Sequence, residues 1–253
     1  MILDQFKLDG KVAVVTGAGR GLGQAAAIGF AEAGADVAVV DVIPTGETAA
    51  KIRAVGRRVC EVSANLLDRS VVPGVVAKVV ADLSGIDILL NNAGIIRRAP
   101  LLEFSVKDWD EVIQINESAV FFLSQAVANQ MVKQGRGGKI INIASMLSFQ
   151  GGIRVPSYTA SKSAVMGLTR LFANELAAHR INVNAIAPGY MATDNTAPLR
   201  ADANRSKEIL ARIPAGRWGE PADVQGALVF LASAASDYVT GYTLAVDGGW
   251  LAR

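Results

Sequence analysis

Cysteine and histidine are almost missing from this chain: Cys60 is the only residue of the first kind and His179 the only one of the second. A single thiol excludes internal disulfides and cysteine-based zinc sites. No uninterrupted apolar run reaches the ~18 residues that a membrane span needs. The opening Met1-Ile2-Leu3-Asp4 puts an acid ahead of any apolar stretch, so no secretory signal is expected. There is no block of lysine or arginine either. The 25 basic and 23 acidic side chains nearly cancel at +2, which speaks against a surface that tracks nucleic-acid phosphates. The acids form no compact ligand cluster, so no catalytic metal is expected. His179, followed by Arg180 near the end of a helical stretch, reads as a structural complement to the helix dipole. Cys60 reads as a small core residue.

What the chain does have is apolar bulk. Its 253 residues are 51% hydrophobic and 19% charged, enough for one sizeable core, and residues 1–253 read as one cytoplasmic domain. Short β-branched runs recur at Lys11–Thr16, Asp36–Asp41, Arg58–Val62, Ile86–Asn91, Lys139–Ala144, Ile181–Ala187 and Thr243–Asp247. Most are continuously apolar rather than alternating, as strands covered on both faces should be. Helical patterns lie between them, at Gly21–Ala33, Thr45–Val55, Asp68–Leu83, Val106–Gln134, Ser157–Ala178, Ala201–Ala211 and Ala222–Ser233. Strand and helix in alternation predict an α/β fold with a doubly wound, parallel, seven-stranded sheet of the Rossmann type and helices on both faces. The irregular stretch from about 188 to 221 follows the sixth strand, where ligands bind beyond the strand ends, and is read as a substrate loop.

The first strand runs straight into Thr16-Gly17-Ala18-Gly19-Arg20-Gly21-Leu22-Gly23, and a small-residue helix follows. Glycines there let the chain turn sharply and bring backbone N–H groups close to a pyrophosphate. Asp41 ends the second strand 18 residues beyond Gly23, near the offset at which a carboxylate meets the adenosine ribose. It favours NAD over NADP, because it accepts from a free 2′-hydroxyl and repels a 2′-phosphate. Arg20 is either a solvated loop arginine or a partner for that phosphate.

Two helices carry the remaining signals. Ser105 to Asp108 resembles a capping box, and Trp109, Val112, Ile113, Val120, Leu123 and Val127 then form an apolar stripe. Asn116 falls on that stripe, as a structural tie or as part of a polar site. In the second helix Tyr158 and Lys162 stand one turn apart. They are either an ordinary surface pair or a phenol whose pKa a neighbouring cation lowers for proton transfer. Ser145 follows the fifth apolar run directly, which places its hydroxyl at the carboxyl edge of the sheet.

These pieces resemble the short-chain dehydrogenase/reductase family over essentially the whole chain. The glycine-rich turn, Asn91-Asn92-Ala93-Gly94, Asn116, Ser145, Tyr158-Thr159-Ala160-Ser161-Lys162 and Pro188-Gly189 occur in the family's order. The resemblance implies a catalytic tetrad. Tyr158 would exchange the proton, Ser145 would hold the substrate oxygen, Lys162 would bind the nicotinamide ribose and lower the tyrosine pKa, and Asn116 would tie Lys162 to a relay water. It also implies cofactor contacts at Gly17, Gly19, Arg20, Gly21, Leu22, Gly23, Asp41, Asn65, Leu66, Asn92, Ala93, Gly94, Tyr158, Lys162, Pro188, Gly189, Met191 and Thr193. Asn65 replaces the family's usual aspartate at the adenine. A homotetramer is implied too, packed through Val106–Gln134 and Ser157–Ala178.

A closer likeness lies in Arg97-Arg98, in Ala144 to Tyr158, in Arg212 to Gly219 and in the ending Val246 to Arg253. It is to family members that act on deoxy sugar acids with NAD. A carboxylate and several hydroxyls call for an arginine and polar side chains. Arg98, Gln150 and Arg154 are therefore expected beside Ser145 and Tyr158, with Met191 and Trp218 covering an apolar face. Two alternatives stand: an NADPH-dependent 3-oxoacyl or other ketone reductase, which Asp41 argues against, and a non-catalytic dinucleotide-sensing scaffold.

Overall fold

Aliphatic runs of four to eight residues pair edge to edge in the computed structural model of the chain, which describes residues 1–253. They are β1 (Val12–Thr16), β2 (Asp36–Asp41), β3 (Val59–Ser63), β4 (Ile88–Asn91), β5 (Gly138–Ile143), β6 (Ile181–Pro188) and β7 (Thr243–Val246). All pairs are parallel, in the order β3-β2-β1-β4-β5-β6-β7. The helices are α1 (Gly21–Glu32), α2 (Gly46–Ala54), α3 (Val72–Leu83), α4 (Val106–Ile113), α5 (Ala119–Gln134), α6 (Pro156–Leu176), α7 (Ala197–Ala201), α8 (Ala203–Arg212) and α9 (Gln225–Ala232).

Continuous apolarity follows from burial on both sides. Ala13 and Val15 of β1 pack with Phe30 of α1 and Leu228 of α9. Val12 and Val14 point the other way, to Val79 of α3 and Leu123 of α5. The strand order reverses between β1 and β4, and a crevice opens there beyond the strand carboxyl ends.

Two stretches differ from the sequence reading. The helix expected over Val106–Gln134 is interrupted by a π-helical turn at Gln114–Ser118, with Asn116 inside it. Such turns insert one residue into an α-helix and are frequent at functional sites. The stretch after β6 contains α7 as well as α8, and its base is pinned shut. Ala192 N–H donates to the Gly219 carbonyl at 2.6 Å and Gly219 N–H to the Tyr190 carbonyl at 2.9 Å, so the segment between is a closed excursion over the sheet edge.

Candidate active site

The turn after β1 is built by close approach. Gly17 has φ +66°, and a Cβ there would stand 2.8 Å from Asn92 Nδ2; one at Gly23 would stand 2.0 Å from the Gly17 carbonyl oxygen. No other residue fits either position without moving backbone. Asn92 locks the turn by donating from Nδ2 to the carbonyls of Thr16 (2.9 Å) and Gly17 (3.1 Å). Asp41 locks its far side, with Oδ2 accepting from Gly19 N–H at 2.8 Å and Oδ1 from Val42 N–H at 2.7 Å. The first N–H groups of α1 have no partner within the helix, and Gly21 and Leu22 line a cleft of about 300 Å³. That cleft runs from Asp41 past Gly17, Arg20, Asn92, Ala93 and Gly94 to Thr193, Tyr158 and Lys162. A glycine-floored groove at a helix N-terminus, with a carboxylate at one end and an ammonium at the other, fits a dinucleotide.

A second cleft of about 620 Å³ adjoins the first. Ser145, Arg98, Arg154, Pro188, Gly189, Tyr190, Met191 and Thr193 line it, with Asp202 and Arg205 of the excursion above. Tyr158 lines both clefts. Its neighbours divide accordingly: Ser145 faces the larger cleft and Lys162 the smaller one.

Ser145 follows β5 and caps a short 3-10 turn, its Oγ accepting from Leu147 N–H at 3.1 Å. That bond occupies one of the hydroxyl's two lone pairs and leaves its proton to turn towards Tyr158 or the cleft. Lys162 is only 4% exposed, has no carboxylate partner, and donates from Nζ to the Ile143 carbonyl at 2.6 Å. Its nitrogen lies 5.6 Å from the centroid of the Tyr158 ring. Burial lowers the lysine to about 8. Burial also pushes the Tyr158 phenol up, and the Ser145 hydroxyl and the Arg98 charge pull it partly back. The sequence reading has the lysine lowering that tyrosine; in the folded chain burial raises the phenol, and Ser145 and Arg98, not Lys162, pull it back.

Asn116 is fully buried, and its amide is already engaged. Oδ1 accepts from Ile95 N–H at 2.9 Å, while Nδ2 donates to the Ile95 carbonyl at 2.9 Å and to Ser161 Oγ at 3.2 Å. It ties the segment after β4 to α6, and its side chain makes no bond to Lys162. Asn65, Leu66, Gln150 and Trp218 line neither cleft. Asn65 is exposed and turns its Oδ1 onto Leu67 N–H, while Leu66 is buried among Ile115 and Ala119. Gln150 accepts from Arg212 at 3.2 Å, and Trp218 stacks edge-on against Tyr190. Arg20 reaches across to Asp194 at 2.9 Å, with both side chains exposed.

Sequence reasoning missed Arg205 and Tyr190, which the excursion and the end of β6 bring into the larger cleft. It also missed Val42, Ile43, Ile95 and Ile115 as cofactor-cleft lining. The position of Ile95 directly after the Asn91-Asn92-Ala93-Gly94 segment was the available signal for it.

Residues 11–204 match the family model described as short chain dehydrogenase. The chain belongs to that family and is an oxidoreductase. It is 66% identical over 253 residues to the 2-dehydro-3-deoxy-D-gluconate 5-dehydrogenase of Dickeya dadantii (strain 3937), covering 100% of both chains. A candidate 2-deoxy-D-gluconate 3-dehydrogenase from Agrobacterium tumefaciens, solved with bound NADP, is similar at TM-score 0.92 and 55% identity, over 98% of this chain and 99% of that one. A gluconate 5-dehydrogenase from Burkholderia cenocepacia J2315, in complex with NADP and tartrate, matches at TM-score 0.95 and 41% identity over 100% of both.

Proposed function

We propose that this chain is an NAD-dependent dehydrogenase that interconverts a secondary alcohol and its ketone on a deoxy sugar acid, with 2-dehydro-3-deoxy-D-gluconate as the leading candidate. The observation that carries the reading is Tyr158 in the wall shared by the two clefts, with Ser145 on one side and Lys162 on the other. The cationic lining of the larger cleft by Arg98 and Arg154, and the name of the Dickeya dadantii relative, support an acid substrate.

In this reading Gly17 to Gly23 and Asn92 to Gly94 hold the dinucleotide, Asp41 its adenosine ribose and Lys162 its nicotinamide ribose. The bound dinucleotide supplies or accepts the hydride at the reacting carbon. Ser145 donates its hydroxyl proton to the substrate oxygen while its own oxygen accepts from Leu147 N–H. During ketone reduction the Tyr158 phenol passes its proton to that oxygen as the C=O bond becomes C–O–H. During oxidation the phenolate takes the proton back. Asn116 positions this machinery through Ile95 and Ser161.

The preference for NAD rests on Asp41, whose carboxylate three backbone N–H groups fix at the adenosine end. The NADP bound to the Agrobacterium tumefaciens protein favours a second reading, in which Arg20 leaves Asp194 for the 2′-phosphate. We place the enzyme in the cytoplasm as a homotetramer. No helix is long and apolar enough to cross a membrane, and Val106 and Trp109 of α4 and Leu171 of α6 are exposed apolar side chains on the helices expected at the interface.

The test is a steady-state screen of deoxy and keto sugar acids, with both dinucleotides, followed at the nicotinamide absorbance. The proposal expects turnover of a deoxy sugar acid, with kcat/KM at least about tenfold higher for NAD than for NADP. Equal or reversed cofactor use overturns the NAD assignment, and turnover confined to uncharged ketones overturns the substrate class.

A further inference from the structure

Four arginines gather at the larger cleft or its edge, and they are not equivalent. Arg98 is exposed and donates from Nη2 to the Asn195 carbonyl at 3.0 Å, holding the start of the excursion. Arg154 is exposed, with φ +63°, and its carbonyl accepts from Ala99 N–H at 3.1 Å. Arg212 lies outside the cleft, 4.0 Å above the Trp250 ring. Arg205 of α8 lines the cleft and is less exposed than Arg98 or Arg154. Its only charged contact is an exposed pair with Glu208 at 2.7 Å, of the kind that contributes little in water.

Tyr190 stands nearby, at the end of β6. Its ring is clamped edge-on by Trp218 at 5.5 Å and by Trp250 at 4.8 Å, and nothing in the protein bonds its hydroxyl. Two tryptophans thus fix a phenol in the cleft wall without using its polar end, an arrangement suited to a ligand oxygen. The one acid in the lining, Asp202, is occupied as the cap of α8, accepting from Asn204 and Arg205 N–H at 3.0 Å.

We infer that the substrate's carboxylate is seated under the excursion, on the Arg205 guanidinium and the Tyr190 hydroxyl, so that the reacting alcohol points back to Tyr158 and Ser145. This rests on the sugar-acid reading above and adds the direction in which the substrate lies. The charges around the two tyrosines agree with it. At Tyr190, burial raises the phenol and Arg205, Arg212 and Arg98 pull it down, in that order; at Tyr158 only Arg98 acts among the arginines. A field that favours a phenolate favours a carboxylate at the same place.

The discriminating experiment compares 2-dehydro-3-deoxy-D-gluconate with its uncharged carboxamide, using wild type, Arg205→Ala, Arg205→Lys, Tyr190→Phe and Arg154→Ala. Wild type should prefer the acid at least about tenfold in kcat/KM, mainly through KM. Arg205→Ala should reduce that preference to within about twofold of unity, Arg205→Lys should restore part of it, and Tyr190→Phe should lower it about threefold. Dinucleotide affinity, measured by nicotinamide fluorescence titration, reports that each variant is folded. Tenfold preference surviving in Arg205→Ala, or lost instead in Arg154→Ala, overturns the assignment while leaving the sugar-acid reading in place. A wild type inert on the acid overturns both.

Discussion

Lys162 carries an ammonium into a site with 4% exposure and no counter-charge, where burial holds it at about 8 rather than at its ordinary 10.5. The folded chain therefore loses this proton before the unfolded chain does, and stability from this group increases as pH rises from about 8 towards 10.5. Below that window the buried charge costs about 3 kcal/mol. Lys162→Met should accordingly raise the melting temperature at neutral pH while lowering kcat/KM by about a hundredfold or more. Differential scanning calorimetry with a parallel assay reads both, and a variant that is both less stable and fully active contradicts the assignment. The placement of this pair was legible in sequence, because its spacing puts phenol and ammonium on one helical face, but spacing left an ordinary surface pair open and only the family resemblance implied the chemistry. The sign of the tyrosine shift was not legible, since spacing carries no information about how much water reaches the two groups. Where the amides of Asn65 and Gln150 turn was not legible for a related reason: position in a loop does not say which way an amide points, and here they accept from Leu67 N–H and from Arg212.

At the scale of elements, the glycine turn and the strands follow from local pattern, because apolar runs covered on both faces and a glycine that tolerates no Cβ have few other uses, whereas the order of the strands in the sheet is set by non-local pairing. The π turn at Gln114–Ser118 was invisible, since an inserted helical residue leaves the apolar stripe nearly unbroken. Its consequence is the placement of Asn116, which satisfies both backbone groups of Ile95 and reaches Ser161 on α6. Removing that amide leaves buried donors and acceptors unpaired on two elements. Asn116→Ala should therefore lose about 1–3 kcal/mol of stability in urea unfolding and weaken dinucleotide binding, as the wall formed by Ile95 loosens. A variant as stable as wild type would show that the tie is dispensable. The excursion after β6 was recognised as irregular, but α7 and the pinning at Gly219 were not, because both closing bonds are backbone contacts that any sequence can make.

For the whole molecule, two clefts meet at one tyrosine, and the sheet topology brings them together: the dinucleotide groove opens where the strand order reverses between β1 and β4, and the larger cleft extends from β5 and β6 under the excursion. A chain that only sensed dinucleotides would need the first cleft and not the second, nor a serine hydroxyl beside the phenol at their junction. Turnover of 2-dehydro-3-deoxy-D-gluconate with NAD by wild type and by Tyr158→Phe, alongside dinucleotide titration of both, separates catalysis from binding. Wild type should turn the sugar acid over. The variant should be slower by roughly 10²–10⁴-fold, with dinucleotide affinity within about threefold of wild type. A Tyr158→Phe enzyme as fast as wild type, or a wild type that binds dinucleotide and oxidises or reduces no sugar acid, would contradict the proposed activity.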